Sequence, residues 1–161
     1  AGVEASYRQD LWFVPSWLKV MQVWVIYTHL RVSGENDEDF VGFTPDILSF
    51  GVNYIRSRFS LRLTGAYQAE TRKSYIQVVP GTSNEGFIPP RTYEYQAAAT
   101  QYGVSAEYAL AKRLSLYLNW SNVFAEDRRI SRRAPDTPAY AQRSQRYVVP
   151  SYLMLGVRGR F

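Results

Sequence analysis

Leu114-Ser115-Leu116-Tyr117-Leu118-Asn119-Trp120-Ser121 puts Leu114, Leu116, Leu118 and Trp120 on one side of an extended chain, and Ser115, Tyr117, Asn119 and Ser121 on the other. Successive side chains of a strand point to opposite sides, so a period of two marks a strand with one apolar and one polar face. Phe59–Gln68 repeats the pattern, with Phe59, Leu61, Leu63, Gly65 and Tyr67 against Ser60, Arg62, Thr64, Ala66 and Gln68. Leu48–Tyr54 and Tyr152–Phe161 repeat it again, the latter with Leu153, Leu155 and Val157 against Arg158 and Arg160. Gly2–Leu11 is a weaker version. Ala97–Leu110 holds three consecutive alanines that favour a helix, but Tyr102, Val104, Ala106 and Tyr108 alternate, and a strand is expected. Leu18–Arg31 is apolar on both sides through Val23-Trp24-Val25-Ile26-Tyr27, which leaves its faces unassigned.

About seven antiparallel strands follow, an all-β meander whose connections alternate in length. Trp12–Trp17, Arg56–Arg58 and Ala111–Arg113 are tight; Val32–Asp46, Glu70–Arg91 and Phe124–Gln145 are long, polar and rich in Gly, Pro and charge. A soluble sandwich has no reason to gather its long loops at one end, whereas an outer-membrane barrel has short periplasmic turns and long external loops. Trp17, Tyr54, Phe59, Tyr67, Tyr108 and Trp120 flank apolar middles, as interfacial aromatic girdles do. On this reading lipid wets the Leu116 and Val157 side. Glu4, Arg8, Arg62, Glu107, Arg158 and Arg160 face a wet lumen.

Composition agrees with that picture and excludes others. The 161 residues allow at most one ordinary domain, 16% are aromatic, and there is no cysteine for a disulfide or thiolate metal site. No apolar run is long enough for a transmembrane helix. Ala1-Gly2-Val3-Glu4 does not resemble a signal peptide, and a first residue other than Met suggests a processed product or a piece of something longer.

Several stretches resemble the carboxy-terminal part of a TonB-dependent outer-membrane receptor. They are the ending Leu155-Gly156-Val157-Arg158-Gly159-Arg160-Phe161, the stretch Asn119-Trp120-Ser121-Asn122-Val123-Phe124, and Thr44-Pro45-Asp46 leading into Leu48-Ser49-Phe50-Gly51-Val52. The resemblance implies that residues 1–161 are the carboxy-terminal segment of a larger barrel, in the bacterial outer membrane, that takes up a scarce nutrient such as an iron-siderophore. It implies that Phe161, with Val157 and Leu155, forms the assembly signal read by the barrel-insertion machinery. It also implies that the lumen charges contact the protein's own plug domain, through which the TonB system acts. Family barrels close with about 22 strands, so seven are a part. Two alternatives stand beside this one: a soluble β-barrel or sandwich binding a small apolar ligand, and a small complete outer-membrane barrel.

No catalysis is expected, and no cofactor or resident metal. The chain has one histidine, His29, and no P-loop, G-x-G-x-x-G or H-E-x-x-H. Glu35-Asn36-Asp37-Glu38-Asp39 reads as a solvated acidic loop rather than a calcium site, for it lacks the glycine and spaced carboxylates of an EF-hand. Arg128, Arg129, Arg132 and Arg133 form the densest basic run. Set on an outer loop, their forked donors suit an anionic ligand or the phosphates of membrane lipid, with Tyr75, Tyr93, Tyr95 and Tyr140 offering aromatic surface to a transported ligand. Nucleic-acid binding is not expected from a Pro-containing loop.

Overall fold

The computed structural model describes residues 1–16, 18–33, 40–76, 81, 88–89, 91–135 and 137–159. It contains β1 (Gly2–Asp10), β2 (Met21–Leu30), β3 (Asp46–Arg56), β4 (Phe59–Gln68), β5 (Thr71–Tyr75), β6 (Tyr93–Gln96), β7 (Ala99–Ala111), β8 (Leu114–Ser121), β9 (Arg128–Arg133), β10 (Arg143–Tyr147) and β11 (Tyr152–Gly159). The seven expected strands are all present. They form one antiparallel sheet in the order β1-β2-β3-β4-β7-β8-β11, and the other four form a second sheet in the order β10-β9-β6-β5.

The second sheet corrects the expectation of long irregular loops. β5, β6, β9 and β10 follow or precede β4, β7, β8 and β11 in the chain, and they keep the same neighbour order. The two sheets are thus one four-stranded ribbon interrupted at a common level, at residues 69–70, 97–98, 122–127 and 148–151, with β1 to β3 added below the interruption. Backbone bonds stitch the interruption: Ala97 N–H donates to the Arg129 carbonyl at 2.9 Å, and Val123 N–H to that of Tyr102 at 3.0 Å.

Register settles the faces that periodicity left open. Thr28 opposes Glu4, Ile26 opposes Ser6, Trp24 opposes Arg8 and Gln22 opposes Asp10. Gln22, Trp24, Ile26, Thr28 and Leu30 therefore share the charged face, and Met21, Val23, Val25, Tyr27 and His29 the apolar one. Trp24 lies flat over its partner Gly51, where an added Cβ would sit 2.8 Å from the indole. The residue opposite the ring must be glycine for that close approach. At the β3–β4 turn, Ser57 has φ of 50°, the left-handed conformation that a two-residue hairpin loop requires.

The register is also staggered. The row of directly opposed residues Gln9, Val23, Val52, Leu63, Val104, Trp120 and Leu153 crosses all seven strands. It starts one residue from the tight-turn end of β1, whose last residue is Asp10, and by β8 it lies six residues from that end, at Leu114. The climb is about one residue per strand, so the strands are staggered in one direction across the sheet.

One of the two alternatives, the small complete barrel, is not what forms. β1 and β11 are the edges of the sheet and do not pair, so the seven strands are an open sheet and not a small complete barrel. Among the described residues no helix or second sheet covers the apolar face, and the only buried hydrophobic side chains are Tyr93 and Ala134, both outside the seven strands. No helix of the described residues is long and apolar enough to cross a membrane, which says nothing of strands.

Candidate functional site

Three surfaces carry side chains that do more than hold the backbone. The first is the apolar face. Val3, Leu63, Leu114, Leu116, Leu153, Leu155 and Val157 are all exposed on it, Leu155 at 69% and Val157 at 62%. Seven strands at ordinary spacing make this face roughly 30 Å wide, far more than the scattered apolar patches of a soluble monomer. Aromatic residues line its ends. Tyr54, Phe59 and Tyr108 stand towards the tight turns, with Tyr54 and Phe59 rings 6.1 Å apart. Tyr27, Tyr67, Tyr102 and Trp120 stand towards the second sheet, where Tyr102 meets Phe124 edge-to-face at 5.2 Å and the Trp120 indole donates to Ser151 Oγ at 2.6 Å. Trp17 of the expected girdle lies outside the described residues. His29, at the end of β2, meets Asp46 at 2.8 Å beside a Tyr27 hydroxyl that donates to the same carboxylate at 2.6 Å.

The opposite face is mainly polar, with Trp24, Ile26, Ile47, Ile55 and Met154 among its apolar exceptions. Asp10, Gln22, Asn53, Arg62, Ser105, Asn119 and Met154 oppose one another in a single row across all seven strands. Gln22 donates to Asp10 at 2.8 Å and Asn53 to Gln22 at 3.3 Å. Glu4, Arg8, Arg62, Glu107 and Arg158 all fall on this face, as the period-two reading placed them; Arg160 lies outside the described residues. Arg158 sits 3.8 Å from Glu107 and 5.6 Å from the Tyr117 ring, which lies across its partner Gly156. Arg62 stacks over Trp24 at 5.7 Å. A depression of about 380 Å³ opens between Asn53, Arg62, Glu107, Tyr117 and Arg158. The buried Nε1 of Trp24 has no hydrogen-bond partner among the described residues.

The third surface is the second sheet. Its twenty residues hold eight Arg and Lys against one Glu, a net charge of +7 where the whole chain carries +5. The expected basic run is here, but it is partly spent on internal pairs. Arg132 bonds Glu94 at 3.2 Å, Arg133 bonds Glu70, and Arg146 bonds Asp127. Arg133 also lies 4.1 Å above the Tyr95 ring. Tyr93 is only 4% exposed, 5.3 Å from Tyr75 and under the Arg72 guanidinium, so it serves as a packing residue and not as the aromatic surface expected of it. Tyr140, 91% exposed, does offer surface, and Arg128 and Arg129 are exposed as well.

Sequence reasoning missed two positioning residues. Asn122, 8% exposed with φ of 49°, ties the interruption together. Its amide donates to the Glu126 and Val149 carbonyls at 3.1 and 2.8 Å and its oxygen accepts from Glu126 N–H at 2.9 Å. Asp127 accepts from Arg146 and from Val149 N–H, and the Arg146 guanidinium first, then that amide, hold its carboxyl below the usual carboxylate range. An asparagine just past an alternating run was the available signal for the first.

Among the described residues no three His, Asp or Glu side chains converge on a metal-sized site. The acidic stretch Glu35–Asp39 and Phe161, the end of the expected assembly signal, lie outside them; Leu155 and Val157 stand on the apolar face. Comparison with protein-family models, with curated proteins and with solved structures returns no match.

Proposed function

We propose that this chain supplies seven consecutive transmembrane strands to a larger outer-membrane β-barrel, the carboxy-terminal part of a TonB-dependent transporter. The observation that carries the reading is the uncovered apolar face, running across seven staggered strands between two aromatic borders, with charge on that face only at its ends, at Asp46 and Arg56. In water that face would be a severe liability; against hydrocarbon it is the expected outer wall. Strands of eight to thirteen residues fit a tilted membrane crossing, which takes about 9–11. Open edges β1 and β11 join further strands, because unpaired backbone groups in lipid cost several kcal/mol each. The polar wall faces the lumen, where Arg62, Glu107 and Arg158 meet water and a plug. Uptake of a scarce nutrient through TonB rests on the sequence resemblance alone.

Cysteine labelling separates the two faces without background, since the chain has no native cysteine. Val157→Cys and Arg158→Cys are neighbours on opposite faces. In the intact protein in membranes, the first should react with a lipid-soluble maleimide and the second with a charged, water-soluble one. Equal reaction of both with the charged reagent overturns the membrane reading. For the transport half, cells lacking the protein should lose growth on one scarce, bulky nutrient, and cells lacking TonB should lose the same growth. Growth unchanged in both removes it.

A further inference from the structure

Pairing on the second sheet sets arginine directly against arginine twice. Arg146 opposes Arg129 on one face of the β9–β10 hairpin, and Arg143 opposes Arg132 on the other. Like charges directly opposite on adjacent strands destabilise a sheet, so each pair needs a counter-charge. Asp127 supplies it to the first through Arg146. The second receives only Glu94, which bonds Arg132 from the β6 side, and Arg143 has no acidic partner among the described residues. Arg143 and Arg132 line a cavity of about 470 Å³ together with Arg133, and the rest of its wall includes Ile88, Pro89 and Ala134.

We propose that this cavity binds an oxyanion, phosphate or carboxylate, borne on an apolar body. The forked guanidinium of Arg143 takes the anion, which completes the charge balance of the Arg143–Arg132 pair in the bidentate geometry that arginine offers. The carbon part of the ligand covers Ile88, Pro89 and Ala134, burying apolar surface that a bare inorganic anion leaves wet. A cavity of this volume suits a body of small-molecule size. The inference is independent of the membrane reading, since the cavity is built by the second sheet and its connections; cysteine labelling and ligand binding can each fail alone.

Hexyl phosphate is the probe, titrated calorimetrically into the intact protein in a non-ionic detergent, with inorganic phosphate and hexanol as its two halves. Saturable binding is expected, at least tenfold tighter than for either half. Arg143→Gln should weaken it about tenfold or more, as expected for a lost charge-assisted hydrogen bond, and Arg143→Lys should fall between. Arg113→Gln, an exposed arginine at the tight-turn end and outside the cavity, should change it less than twofold. Ile88→Ser should weaken hexyl phosphate and leave inorganic phosphate unchanged. Absence of saturable binding, equal losses in Arg113→Gln and Arg143→Gln, or inorganic phosphate binding as tightly as the probe would each overturn the proposal. Displacement of the probe by nanodiscs containing phosphatidylglycerol, but not by pure phosphatidylcholine ones, assigns the site to lipid; no displacement by either assigns it to a soluble acid.

Discussion

β8 and β9 are separated by a few residues of chain and belong to the same ribbon, yet one reads LSLYLNWS and the other RRISRR. Their backbones do the same thing: both pair antiparallel in a ladder that keeps one neighbour order above and below the interruption. What differs is the medium each side chain is built to meet. Below, leucine, valine and aromatic side chains point outward uncovered on one face, and polar ones occupy the other. Above, both faces carry arginine, held by Glu94, Glu70 and Asp127 and by the faces of Tyr93 and Tyr95. Hydrogen-bonded strands are thus common to both regions, and solvent preference is a separate layer written over them. The boundary between the two is sharp and carries its own polar clamp at Asn122.

That contrast can be broken by placing the same residue in both regions. Leu116→Arg, on the apolar face, should cost roughly 2–4 kcal/mol near the middle of a bilayer. Ser74→Arg, exposed on β5 and opposite Glu94, should stay within about 0.5 kcal/mol. Urea unfolding of the intact protein in phospholipid measures both, and similar costs would mean that the two regions meet the same medium.

The boundary itself is the next target. Asn122→Ala removes three hydrogen bonds at a buried residue with positive φ and should destabilise by about 2 kcal/mol. Asn122→Gly loses the same bonds but accepts the backbone conformation, so it should be less damaging than alanine. If alanine and glycine behave alike, the conformation contributes nothing and the hydrogen bonds carry the whole effect.

A pH change should touch the boundary through Asp127. Asp127 has a folded value below its unfolded one, so its contribution is present above the unfolded value, about 3.9, and is lost as pH falls through the folded value. Exchange of the Val149 amide, which donates to Asp127, should accelerate on acidification below about pH 4, the unfolded carboxylate value. Amides in the middle of β8, a strand without a carboxylate, should not respond over that step. The smallest effect is expected at the tight-turn end, where Ser57→Gly relieves a left-handed residue and should stabilise by a few tenths of a kcal/mol up to about 1.

The legible and the illegible parts of the sequence divide along the same boundary. Leu114–Ser121 and Phe59–Gln68 declared themselves because a strand with two unlike faces must alternate, and Arg62, Glu107 and Arg158 could be placed on the polar face residue by residue. β2 hid its faces because Trp24 and Ile26 are apolar on the polar side, and nothing in periodicity reveals that the Trp24 ring covers Gly51 and carries Arg62 on top. β5, β6, β9 and β10 were invisible for the opposite reason. With both faces polar there is no alternation of hydrophobicity to find, and only Tyr93 and Tyr95, two apart in Tyr-Glu-Tyr-Gln, hint at a strand. The basic run was found, but its partition into paired and unpaired arginines depends on cross-strand register, which sequence does not print. Tyr93 looked like a loop aromatic available to ligand and is instead the most deeply packed ring of the second sheet.

The interruption shared by four strands also limits how far a change can travel. A one-residue slip in a strand flips every later side chain to the opposite face, so an insertion in an unbroken ribbon would exchange the apolar and polar faces. Here the irregular segments at 69–70, 97–98, 122–127 and 148–151 absorb such a slip before it reaches β4, β7, β8 or β11. The upper hairpins are therefore free to lengthen, shorten or exchange their binding chemistry through evolution or engineering, while the wall beneath keeps its phase.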